Sequence, residues 1–100
     1  MAGKNYTLDK LLRKKARMLA LAGDPTRLRI LCFMFDHKEA CVSEISKGLN
    51  MSIASISHHL QIMKEEGFFK TNRMGTKICY TLEDTEFVNL MKNCVELSSV

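Results

Sequence analysis

Apolar residues recur with a helical period along most of this chain and alternate over one short stretch near its middle. The clearest helical stretch is Met51 to Gly67, MSIASISHHLQIMKEEG. At about 100° per residue, Ile56, Leu60 and Met63 fall on one stripe, with Ile53 at its edge. Ala54, Ser57, His58, Gln61 and Glu65 fall on the other side. Ser52 stands where an N-cap is needed, and Gly67 where a left-handed residue would stop the helix. The outer face begins with short side chains that donate or accept hydrogen bonds without fixed charge. Such a face can enter a major groove and read base edges. An ordinary amphipathic surface helix shows the same pattern, so the neighbours have to decide.

They do so on both sides. Phe68 to Leu82, FFKTNRMGTKICYTL, reads as two strands around a turn at Met74-Gly75, with Lys70, Arg73 and Lys77 about the tip. Upstream, Asp24-Pro25 starts a helix to about Phe35 that is apolar nearly all round after Arg29, as a central buried helix would be. Asp36 to Glu39 is a polar connection. Cys41 then opens a short helix to about Leu49, with Glu44 at capping-box spacing and Asn50 in the following turn. Two amphipathic helices flank this unit. In Thr7–Ala22, Leu8, Leu11, Leu12, Leu19 and Ala22 share a face. In residues 84–97, capped by Asp84 or Thr85, the stripe is Phe87, Leu90, Met91, Cys94 and Val95. The predicted order is α-α-α-α-β-β-α, a mainly α winged helix-turn-helix with a small β-hairpin, as a single domain over residues 1–100. The flanking helices, about 7–22 and 84–97, want a partner, and a second copy of the chain is the economical one.

One hundred residues bury only about 65% of their unfolded surface, which favours dimerisation. With 46% hydrophobic and 26% charged residues, the chain is globular. The net charge of +4 is unevenly spread. Residues 1–29 carry eight basic and two acidic side chains, whereas residues 83–100 carry one basic and four acidic. A polyanion on one side and a protein on the other fit that asymmetry; a solvated basic face explains its first half. No apolar run reaches membrane-spanning length and the N-terminus is too polar for a secretory signal, so a cytoplasmic protein without a membrane partner is expected. The four cysteines, Cys32, Cys41, Cys79 and Cys94, show no CxxC pairing, and structural disulfides are not expected among them. No phosphate loop, general-base pair or nucleophile–base–orienter set is present, so neither an enzyme nor a cofactor is expected.

At LAGDPTRLRIL (Leu21 to Leu31) and SIASISHHLQIMKEEGFFKT (Ser52 to Thr71) the chain resembles the arsenical-resistance, or ArsR-type, family of dimeric winged-helix repressors. The matching residues are Asp24-Pro25-Thr26-Arg27-Leu28, then Ser57-x-His59-Leu60, then Gly67, Gly75 and Tyr80. The resemblance implies a homodimer bound to an inverted-repeat operator in double-stranded DNA and released by an inducer. It places Ile53, Ala54, Ser57 and His58 in the groove, with Gln61 beside them and Arg73 and Lys77 on the wing. Ile53 stands where the family often has Gln, which replaces a contact to adenine by room for a thymine methyl. The family's Cys-Val-Cys metal motif is Cys41-Val42-Ser43 here, and the segment after Leu82 has no His for its zinc site. A branch of the family senses persulfides or oxidants with one thiol in an Ile-Leu-Cys sequence and another in the last helix. Ile30-Leu31-Cys32 and Cys94 match both positions.

Each candidate has a plainer alternative. Cys32 and Cys94 form the expected thiol switch, but either can be a small core hydrophobe. Cys41, at a helix start, is a weak candidate for metal binding, since a soft metal wants three or four ligands. Cys79 reads as structural. His58 reads as a phosphate or base contact and His59 as a hydrogen-bonded packing residue. The expected function is a DNA-binding repressor released by thiol modification. The alternatives are a soft-metal-released repressor using Cys41 with other cysteines, and a winged-helix protein-interaction module without DNA.

Overall fold

The computed structural model describes residues 9–98, with side chains through Glu96. Five helices and three strands follow in the order α1 (Lys10–Ala22), α2 (Pro25–His37), β1 (Glu39–Cys41), α3 (Val42–Leu49), α4 (Ile53–Glu65), β2 (Phe69–Met74), β3 (Lys77–Leu82) and α5 (Glu86–Ser98). The winged helix-turn-helix is present. Its sheet has one strand more than the hairpin expected from the sequence.

The helix starts follow local chemistry. Asp9 caps α1 by accepting the Leu12 amide at 2.8 Å, so it stands outside the helix that was expected to contain it; Thr7 and Leu8 lie outside the described residues. Asp24 accepts the Arg27 amide at 3.0 Å, with Pro25 at the first helical position, where its missing N–H costs nothing. Thr85, rather than Asp84, caps α5 by accepting the Val88 amide. At the end of α4, Gly67 adopts φ +99°. There the Gly67 amide donates to Lys64 O and the Phe68 amide to Met63 O, both at 3.0 Å. This paired closure needs a left-handed residue, and a side chain at position 67 would strain it.

The core is built around α2. Ile30, Leu31, Met34 and Phe35 are buried, and on them close Ile45 of α3, Ile56, Leu60 and Met63 of α4, Phe68, Phe69 and Tyr80 of the hairpin, and Val88 of α5. The stripe predicted for α4 is the one buried. In α5 the outcome differs: Val88 is the fully buried residue, Phe87, Met91 and Val95 pack against the core, and Leu90 and Cys94 face out. The apolar side of α5 is thus split between this chain's own core and an open face.

Helix α2 runs two residues beyond Phe35 and ends at Lys38, which has φ +66°. The segment expected as a loop then supplies β1. The sheet order is β1-β3-β2, all antiparallel, with Glu39, Ala40 and Cys41 opposite Thr81, Tyr80 and Cys79. This register corrects the expectation about disulfides. Cys41 and Cys79 face each other across two strands and are bonded to one another. Cys79 is structural as expected, but through a covalent partner that only the third strand brings beside it.

Candidate nucleic-acid interface

The turn between α3 and α4 is fastened by Ser46, whose hydroxyl donates to Met51 O and whose carbonyl accepts the Met51 amide. Asn50, in the left-handed region at φ +55°, reverses the chain. Ser52 accepts the Ser55 amide at 3.1 Å and starts α4. Glu44 accepts the Cys41 amide at 2.9 Å, one half of a capping box at the start of α3. These bonds fix the angle between the two helices, and with it the face that α4 offers to solvent.

That face carries the residues expected on it. Ile53, Ala54, His58 and Gln61 are exposed and Ser57 is half-buried. Ile53 is 58% exposed, an apolar side chain at the tip of a helix whose core stripe begins three residues later. An open groove beside α4 is lined by Gln61, Lys64, Glu65, Thr71, Asn72, Arg73, Ile78 and Tyr80, so wing and helix share one surface. Lys64, Thr71 and Asn72 were not among the candidates. Thr71 had a signal in the parity of the strand, since Phe69 is buried and Thr71 and Arg73 share its side; Lys64 and Asn72 had none of that kind.

The same parity separates the two basic wing residues. Arg73 pairs with Ile78, and Lys77 pairs with Met74 in the next rung. Successive rungs point to opposite faces. Arg73 therefore joins the groove beside α4, while Lys77 lines a different one with Glu39, Cys41, Glu44 and Met74. Gly75, at φ +66°, lets the two-residue loop Gly75-Thr76 turn this tightly.

Behind the exposed face of α4, His59 is half-buried and its Nδ1 has no hydrogen-bond partner, nor does Arg27 Nε. His59 was expected to pack and to be hydrogen-bonded; the packing is found, the bond is not. Burial, followed by the Arg27 charge, holds its imidazole below the ordinary range, with His58 adding and Asp24 opposing. The unfolded chain then binds a proton more readily than the folded one, so stability is lost as pH falls through about 6.5. His59→Gln should melt with a flatter pH profile than wild type between roughly pH 7 and 5. Parallel profiles would remove His59 from acid destabilisation.

The family profile described as bacterial regulatory protein, arsR family, matches residues 24–71, from the cap of α2 into β2. An HTH-type transcriptional regulator of Methanocaldococcus jannaschii, MJ1325, is 36% identical over 84 residues, covering 84% of this chain and 94% of that protein. The chain belongs to the ArsR family. The structure of HlyU from Vibrio cholerae superposes with a TM-score of 0.82 at 28% identity, covering 93% of this chain and 100% of that one. A homodimeric winged helix-turn-helix DNA-binding domain from Mycobacterium bovis, described as a possible ArsR-family regulator, gives a TM-score of 0.79 at 27% identity over 99% and 90% of the two chains. This ArsR-family chain is accordingly a transcriptional regulator with a DNA-binding fold, and not an enzyme.

The effector candidates sit apart from that surface. Cys32 is half-buried on the side of α2 turned from the core, beside Leu28, Phe33, Asp36 and Leu49. Cys94 is exposed on α5. Both are free thiols, not bonded to each other. Burial, and then the nearby Asp36 carboxylate, push the Cys32 thiol above its usual range. Among the described residues no group of three or more His, Cys, Asp or Glu side chains is placed to hold a metal ion. Cys41 has its sulfur committed to Cys79. No helix among the described residues is long and apolar enough to cross a membrane.

Proposed function

We propose that two copies of this chain pair through the outer faces of α1 and α5 and read an inverted-repeat operator. The exposed start of α4 would enter the major groove and Arg73 would hold a phosphate. The observation that carries this reading is the shared surface of Ala54, His58, Gln61 and the Arg73 side of the wing. It combines uncharged hydrogen-bonding side chains, with Ala54 leaving room for close approach, and a rim where the Lys64 and Arg73 cations outnumber the Glu65 carboxylate. The exposed leucines of α1 and α5 support the pairing.

Release from DNA is assigned to Cys32 and Cys94, the two thiols left free. Exposed Cys94 would attack a polysulfide first, and half-buried Cys32, slower to ionise, would displace the leaving sulfur and close the bridge. Closing it ties α2 to α5 and tilts the pairing helix. In a mobility-shift assay on the DNA upstream of its own gene, polysulfide should release the protein and dithiothreitol should restore binding. Cys32→Ser and Cys94→Ser should each bind with wild-type affinity and ignore polysulfide. Release persisting in both variants removes the switch. Absence of a shift in reduced wild type removes the DNA reading itself.

A further inference from the structure

We propose that Cys41 and Cys79 form a dithiol–disulfide site of their own, exchanging with small uncharged disulfides, with Cys41 as the attacking sulfur and Cys79 as the resolving one. The site is independent of whichever thiols govern release from DNA.

Three observations carry it. The β1–β3 register sets the two cysteines opposite one another, so the bond can open and close with the strand pairing still in place. The two sulfurs differ in access. Both line one open groove with Glu39, Glu44, Met74 and Lys77, on the face of the sheet away from Tyr80, but Cys79 is only 1% exposed whereas Cys41 is half-buried. A reagent entering the groove therefore meets Cys41 before Cys79. The groove also chooses its reagent: the two carboxylates, Glu39 and Glu44, outnumber the Lys77 ammonium, which disfavours an anionic disulfide.

The chemistry balances without any further component. The Cys41 thiolate attacks one sulfur of R–S–S–R, that bond breaks, R–S⁻ departs, and Cys41 carries the mixed disulfide. The Cys79 thiolate then displaces the second R–S⁻ and closes the protein disulfide. The reagent gains two electrons and the two cysteine protons and leaves as two R–SH. The bond fastens the first residue before α3 to the inner strand of the wing, across a sequence separation of 38 residues. Its loss loosens the start of the helix-turn-helix against the wing.

The test uses the full chain carrying Cys32→Ser and Cys94→Ser, so that it cannot be confused with release by those thiols. The protein is reduced with dithiothreitol, desalted and mixed with bis(2-hydroxyethyl) disulfide. Intact mass should show the loss of two hydrogens and no retained adduct, and the melting temperature should rise by on the order of 10 °C. With Cys79→Ser added, a stable adduct should accumulate on Cys41. With Cys41→Ser added, Cys79 should stay unmodified under native conditions. An adduct on Cys79 in that variant overturns the assignment of roles. Failure of the Cys41–Cys79 pair to close, or closure with no rise in melting temperature, overturns the site, and this arm decides even if a serine variant does not fold.

Discussion

Leu11→Lys combined with Leu90→Lys should give a folded monomer at micromolar concentration that has lost roughly 100-fold or more of its operator affinity. Leu11 is 62% and Leu90 57% exposed, so charging them costs the isolated chain little. Leu12 and Leu19 are open on the same helix, and large apolar residues gathered this way mark an interface rather than scatter. Met91 makes a poorer target, because it packs against the core and charging it would confuse unfolding with dissociation. In a pair, the second recognition helix binds as an intramolecular event, and that advantage vanishes with the pairing. Sedimentation velocity and mobility shift read the two effects. A variant still dimeric, or a monomeric wild type with full affinity, would sink the interface.

Arg73→Ala should weaken binding to operator and random DNA alike, by about tenfold, and flatten the salt dependence by about 0.9 per lost phosphate contact. Lys77→Ala should do markedly less. The sequence alone gathers both cations at one wing tip. The rungs of the hairpin send Arg73 toward α4 and Lys77 into a separate groove that also holds Glu39 and Glu44. Titration over a range of salt concentrations separates the two residues. Equal slopes for both variants would show that the twist of the wing brings Lys77 to the phosphates after all, and an unchanged slope for Arg73→Ala would remove the wing from the interface.

What could be read from the sequence follows the range of the forces involved. The core stripe of α4, the caps at Asp24 and Ser52 and the left-handed stops at Asn50 and Gly67 are set by neighbours within one or two helical turns, and they stand where the periodicity puts them. Strand β1 has three residues, of which only Ala40 is buried, too short to show a period of two. Without β1, nothing in the chain brings Cys41 to Cys79. Val88 lies beside the stripe predicted for α5 because two bodies compete for that helix, and a periodic pattern does not say which face serves which. The parity of the wing was different. Thr71 and Arg73 follow buried Phe69 at intervals of two, so their side was legible, but Lys77 needed the turn length to place it.

The sheet also has a temporal meaning. Strands β2 and β3 are neighbours in sequence, joined by Gly75-Thr76, and can meet as soon as the chain turns. Strand β1 meets β3 only across the whole of α3, α4 and the hairpin, at Glu39 with Thr81 and through the Leu82 amide on Lys38 O. Closing a loop of that length costs about 3 kcal/mol of chain entropy, and three short rungs on their own return little against it. Strand β1 therefore gains little by joining β3 until α2, α3 and α4 have gathered around Ile30, Leu31 and Met34 and brought the two strands together. The hairpin is a local product of the chain, and the sheet's third strand is the piece that has to wait for the core.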